Sequence, residues 1–198
     1  MKFWERIAVH TQQEIYYYDT HRGFDARNLA GRLYEMILDE LDRGKKGVVF
    51  LCIGTDRSTG DSLGPLIGYK LKGRQNQDIP VFGTLERPVH AMNLDDYMHF
   101  LQEDYSDYVV VAIDASVGKS DHVGYVTLGR GALKPGLGVS KELREVGDIF
   151  ITGIVGGCGN YDPLMLQSVR LSVVMRLADC ISESICLVEK LCVNAAVV

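Results

Sequence analysis

No stretch of the chain reaches the roughly 18 uninterrupted apolar residues that a membrane span requires, so no membrane partner is expected. The opening residues, Met1-Lys2-Phe3-Trp4-Glu5, lead into polar sequence and lack the apolar centre of a signal peptide. Basic runs are missing too. The formal net charge is -5, and pairs such as Lys45-Lys46 are too short to form the cationic stripe that nucleic acid selects, so nucleic acid is not expected as a partner. Histidine is sparse: His10, His21, His90, His99 and His122 are scattered, with no His-x-x-x-His pair. The five cysteines are odd in number, and Cys180, Cys186 and Cys192 stand six apart, which is not a metal-ligand spacing. They read as reduced core thiols of a cytoplasmic protein. With soft and imidazole ligands this dispersed, neither a tightly bound transition metal nor any other cofactor is expected. No repeat, low-complexity tract or Pro/Ser-rich linker divides the chain.

What remains is an ordinary globular composition, 46% hydrophobic and 24% charged over 198 residues. A chain of this length buries roughly 70% of its unfolded surface as one domain. The expected division is an N-terminal segment over 1–24, an α/β domain over 25–186 and a tail over 187–198. The run Tyr16-Tyr17-Tyr18 either docks on the core or takes part in an interface, and homo-oligomerisation stays open. Asp25 is placed to cap a helix carrying Leu29, Leu33, Met36, Ile37 and Leu41 at helical spacing, stopped by Gly44. Val48 to Ile53 and Tyr108 to Ile113 are apolar on both faces, as buried parallel strands are. Further strands are expected at Ile79 to Leu85, at Val123 to Leu128 as an edge, and at Ile149 to Val155. Further helices are expected after Gly64, over Asn93 to Leu101, and from Pro163 onward. Alternating strands and helices predict an α/β fold with a mostly parallel sheet covered on both faces. In such sheets ligands gather beyond the carboxyl ends of the strands.

Four motifs fall at those ends. The first is Gly54-Thr55-Asp56-Arg57-Ser58-Thr59-Gly60-Asp61-Ser62-Leu63-Gly64-Pro65, between a buried strand and a helix. It lacks the Gly-Lys-Ser/Thr of a phosphate loop and the dinucleotide spacing. Asp61 stands at the N-cap position, so it either caps the helix or carries chemistry. The second is Val111-Ala112-Ile113-Asp114-Ala115-Ser116. A carboxylate directly after a buried strand is costly unless paired, hydrogen-bonded or protonated, although a plain turn aspartate is the alternative. Held close, two such carboxylates share one proton and act as base and acid around a water. The third is the loop Gly131 to Gly138, either a substrate loop or a surface connection, and the fourth is the turn Gly156 to Pro163. Candidate substrate contacts are Thr55, Asp56, Ser62, Glu86, Lys134, Gly136, Gly138, Gly156 and Gly157. Cys158 has no histidine placed beside it by sequence, so a nucleophilic role is not favoured. His90, like Glu86, either lines the cleft or occupies an ordinary loop position.

Gly60-Asp61-Ser62-Leu63 also spells the signature of a GDSL-type serine esterase, and Asp96-Tyr97-Met98-His99 supplies an Asp-x-x-His. Those esterases place the serine at the strand end and the Asp-x-x-His near the C-terminus. Here a loop precedes Ser62, and the second motif falls mid-chain on an expected amphipathic helix.

The stretch from Gly54 to Pro65, Ala112 to Ala115 and Lys134 to Gly138 resembles the germination protease of bacterial spores. Over roughly residues 25 to 185 the chain more closely resembles the small YyaC-type sporulation proteins, relatives of that protease. The resemblance implies a three-layer, hydrogenase-maturation-protease-like fold. It makes Asp61 and Asp114 the catalytic candidates, and implies a peptide or small spore protein as substrate and a forespore or spore-interior location. In the related hydrogenase-maturation peptidases, the equivalent acids and a later histidine bind nickel. No histidine stands in the loop from Gly129 to Gly138 or beyond it, which favours the metal-free, spore-protease-like reading. The expectation is an aspartate-dependent endopeptidase of sporulation or germination. The alternatives are a non-catalytic spore or regulatory protein binding a peptide in the same cleft, and the serine esterase.

Overall fold

The computed structural model describes residues 14–74, 79–135, 144–157 and 163–195. Six strands form one sheet: β1 (Ile15–Asp19), β2 (Gly47–Cys52), β3 (Val81–Phe82), β4 (Tyr108–Gly118), β5 (Tyr125–Arg130) and β6 (Ile149–Gly157). Their order across the sheet is β1-β5-β6-β4-β2-β3. The four strands β3, β2, β4 and β6 run parallel, and β5 and β1 are added antiparallel. The helices are α1 (Ala26–Asp42), α2 (Leu63–Lys72), α3 (Leu94–Asp104) and α4 (Leu171–Ala195). The result is the expected three-layer α/β sandwich with a mostly parallel centre.

The double-sided apolar runs sit where their chemistry requires. β2 and β4 are parallel neighbours, paired from Gly47↔Tyr108 to Cys52↔Ile113, and alternate side chains enter different cores. Val48, Phe50, Cys52, Val109, Val111 and Ile113 face α1, α2 and α4. Val49, Leu51, Ile53 and Ala112 face α3, through Leu94 and Leu101, and the segment holding Leu133 and Val146. Each buried Val, Leu, Ile or Phe among them contributes roughly 1.5–3 kcal/mol of transfer free energy. Asp25 caps α1 as expected, accepting the Arg27 N–H at 2.9 Å. An edge-to-face chain through Phe82, Phe100, Tyr105 and Tyr108 fastens α3 to β3 and β4.

Several boundaries differ from the sequence expectation. The strand expected over Ile79 to Leu85 pairs only at Val81 and Phe82, because Pro80 has no N–H to donate and the chain turns at Gly83. β5 is not an edge. The tyrosine run forms β1 outside it, with Tyr16 and Tyr18 packed on the core and Tyr17 54% exposed. Ile15–Asp19, within the expected N-terminal segment, thus contribute to the sheet. Pro163 opens a 3₁₀ turn to Ser168, and α4 starts only at Leu171. It continues through Ala195, so the expected tail from residue 187 is mostly helix. Among the described residues no helix is long and apolar enough to cross a membrane.

Candidate functional site

The site grows out of the end of β2. The Ile53 N–H donates to the Ile113 carbonyl on one side, and Ile53 bridges to Val89 on the other. The Gly54 N–H then donates to the Val89 carbonyl at 2.8 Å. The next residues outward, Asp114 after Ile113 and His90 after Val89, therefore flank the end of β2 from opposite sides. Asp61 returns over the same point. The Thr55 N–H lies 3.1 Å from both the Asp61 carbonyl and its Oδ2. Gly54 is required here: its φ is 138°, and a Cβ would collide with the Asp61 carbonyl. Gly64 is required for a different reason, because a Cβ there would run into the Ile53 carbonyl.

Asp61 does not cap α2. It lies in a 3₁₀ turn, Gly60–Ser62, that packs against β4, and the N-cap position of α2 belongs to Ser62, whose side chain makes no capping bond. With Thr55, Asp56, Arg57, Pro88 and His90, Asp61 lines an open cavity of about 490 Å³. Burial raises its carboxyl above its ordinary value, opposed by the Thr55 hydrogen bond and by the nearby His90.

Asp114 is in a different setting. It belongs to β4, is 5% exposed and takes the Ala115 N–H on Oδ1 at 2.7 Å. It does not line that cavity. By strand alternation it shares the α3 face with Ala112 and Ser116 and stands in register with Thr152 of β6, itself opposite Thr127 of β5. The Thr152 hydroxyl bonds Ser116 at 3.0 Å and Thr127 at 2.6 Å, forming a hydroxyl row beside the carboxylate. The pairing of β4 with β6 shifts register just beyond, between Ser116 and Val117.

Of the other candidates, Thr55 and Asp56 share the cavity with Asp61. Ser62 is buried and its Oγ donates to the Thr59 carbonyl at 2.7 Å. Asp96 and His99 lie exposed on α3, and Glu86 is exposed on the segment leading to His90. Lys134 is exposed and pairs with Glu145 at 3.3 Å. Gly156 and Gly157 end β6, opposite Val117 and Gly118. Gly136, Gly138 and Cys158 lie outside the described residues. The sequence reading gave no role to Thr127 and Thr152, although hydroxyls inside otherwise apolar strands were a visible signal. It left His90 open between the cleft and an ordinary loop position. Among the described residues no three His, Cys, Asp or Glu side chains cluster as metal ligands. Burial pushes the Cys52 thiol up to about 12, leaving it inert, and the described cysteines are free.

Fold and site together define a three-layer α/β protein with two aspartates and a histidine gathered about the end of one central strand. The chain belongs to the family described as "Protein of unknown function (DUF1256)", whose model matches residues 22–184. It is similar to the "Uncharacterized protein YyaC" of Bacillus subtilis (strain 168), 46% identical over 145 residues that cover 73% of this chain and 71% of that protein. The resemblance to YyaC-type proteins is thereby borne out.

Proposed function

We propose that the chain is an aspartate-dependent endopeptidase of the germination-protease type, acting on a peptide or small spore protein during sporulation or germination, with Asp61 and Asp114 as its acid–base pair. The observation that supports it is that the backbones carrying Asp61 and Asp114 both meet the end of β2, beside an open cavity lined by Asp61. In this reading the pair holds one proton. A water gives its proton to the Asp61 carboxylate as its oxygen bonds to the scissile carbonyl carbon. The C–N bond then breaks, and the leaving amine takes the proton held by Asp114. The net change in the pair is one proton moved from Asp114 to Asp61. A carboxylate made more basic by burial suits the first step near neutral pH.

One observation favours a second reading, a non-catalytic peptide-binding protein: Asp114 is deeply buried and absent from the cavity wall. A serine esterase using Ser62 would first have to release that hydroxyl from the Thr59 carbonyl. A mass-spectrometric screen of end-capped peptides separates the three. Cleavage by wild type and not by Asp61→Asn supports the peptidase. Binding without cleavage by either supports the binding protein. Labelling of Ser62 by a phosphonate would move the assignment to the esterase.

A further inference from the structure

We propose that the cavity beside β3 is a docking subsite for an acidic peptide segment. One bulky apolar side chain of the segment packs against Phe82, Tyr97 and Phe100, while its carboxylates meet Lys72 and Arg87. This deepens the peptidase reading by naming a substrate class and rests on it for its purpose, but binding can be tested apart from cleavage.

The cavity holds about 420 Å³ at the β3 edge of the sheet, between the end of α2 and the start of α3. Concave, mostly apolar space with a few placed polar groups is the usual form of a ligand site. Here the apolar part is aromatic: the Phe82 ring stands 5.3 Å from Phe100, edge to face, and 6.2 Å from Tyr97. Phe100 is 36% exposed, so the cluster ends in uncovered aromatic surface and not in sealed core. The rim supplies the sign. Lys72 from α2 and Arg87 from the segment after β3 are exposed and reach the cavity, against one acid, Asp96. Among the described residues neither cation belongs to an ion pair. In a chain whose net charge is -5, two cations about one apolar cavity are a local reversal that selects an anionic occupant.

The main chain favours a peptide as that occupant. The Phe50 N–H donates to the Pro80 carbonyl at 2.9 Å, and Val81 and Phe82 stand in parallel register with Phe50 and Leu51. Alternation therefore turns the Val81 N–H and C=O away from β2, and among the described residues no strand pairs with that side of β3. Val81 itself lines the cavity, so an extended segment finds a backbone donor and acceptor there, as in strand addition. The subsite also adjoins the candidate site. Thr84 and Arg87 line this cavity, while Leu85 and Pro88 line the one that holds Asp61. The turn between them is closed by the Thr84 N–H on the Arg87 carbonyl at 3.1 Å and by the Arg87 N–H on Thr84 Oγ1 at 3.2 Å. One fixed turn is thus the common wall, and a peptide held at β3 continues over it toward Asp61.

The experiment is fluorescence anisotropy with dye-labelled, end-capped peptides on the full chain carrying Asp61→Asn, so that binding is read without cleavage. The probes are Glu-Glu-Phe-Glu-Glu, the same peptide with Ala for Phe, and Lys-Lys-Phe-Lys-Lys. The acidic Phe peptide should bind, and Ala in place of Phe should weaken binding roughly tenfold or more, as expected for losing a buried aromatic side chain. The lysine peptide should not bind. Adding Lys72→Glu with Arg87→Glu, both at exposed positions, should reverse that preference at unchanged melting temperature. Phe100→Ala should weaken the acidic Phe peptide. NMR of the Phe82 and Tyr97 rings on peptide addition checks the apolar half with no change to the cavity: shifts there support it, and shifts confined to other residues overturn it. Equal binding of all three peptides overturns the proposal, as does no binding of the acidic Phe peptide or a charge preference that survives the double reversal. If the acidic Phe peptide binds as described and wild type cleaves no peptide, the subsite stands and the peptidase reading falls. If wild type cleaves peptides at rates indifferent to Lys72 and Arg87, the subsite falls and the peptidase reading stands.

Discussion

Asp61 reaches the carboxyl edge of the sheet on a glycine-bounded loop and lines a solvent-open cavity, whereas Asp114 is part of β4 and almost wholly covered. One carboxylate is surrounded by a loop N–H and an imidazole, the other by its own strand and a row of hydroxyls. The difference teaches that strand-end position alone does not set a residue's environment. A loop can return a charge to water, but a strand residue takes the environment of its face. In the peptidase reading proposed above, the accessible group suits water activation and the covered group suits proton holding.

The largest expected effect tests whether the two act together. Asp61→Asn and Asp114→Asn should each lower peptide cleavage by roughly 10²–10⁴-fold, and the double variant should lose little more than either alone. Full multiplication of the two losses in steady-state rates would mean independent roles. Next, Gly54→Ala attacks the shared anchor. It forces a side chain into a conformation that costs of order 1–3 kcal/mol and pushes the Asp61 carbonyl away. Thermal melting should fall by roughly 2–4 °C for each kcal/mol lost. Asp114→Ala should come third, costing about 1–3 kcal/mol by urea titration, because it strips a buried acceptor from the Ala115 N–H.

The smallest effect has the opposite sign. Burial raises the Asp61 carboxyl in the folded state, so folding favours its protonated form. Its contribution is fully present below the unfolded carboxylate range and is lost as pH rises through the folded midpoint. Asp61→Asn should therefore melt at or slightly above wild type at neutral pH, and its stability should fall less on moving from acid to neutral pH. A clear loss at neutral pH would make Asp61 a structural group after all.

Much of this was legible in the residues. Val48 to Ile53 and Tyr108 to Ile113 announced buried parallel strands because only a two-sided core uses uninterrupted apolar runs. Asp25 announced a helix start, and the two aspartates drew attention because they follow those strands. The hydroxyl row was not legible, since Ser116, Thr127 and Thr152 meet only through the registers of three strands. Nor was the setting of His90, which depends on a single bridge between Val89 and Ile53. β5 was misread as an edge because the tyrosine run preceding α1 gave no clean alternation of apolar and polar residues.

The clasp around Ile53 has an evolutionary consequence. Asp114, His90 and Asp61 are all hung, directly or through Val89 and Thr55, on the last residues of one strand. A one-residue insertion within β2 would turn its side chains to opposite faces and displace all three groups together. Lengthening the loop between Arg57 and Thr59 would leave the anchoring pairs in place. The loop can therefore change length without moving those anchors, while any change in the register of β2 moves Asp61, His90 and Asp114 as a block.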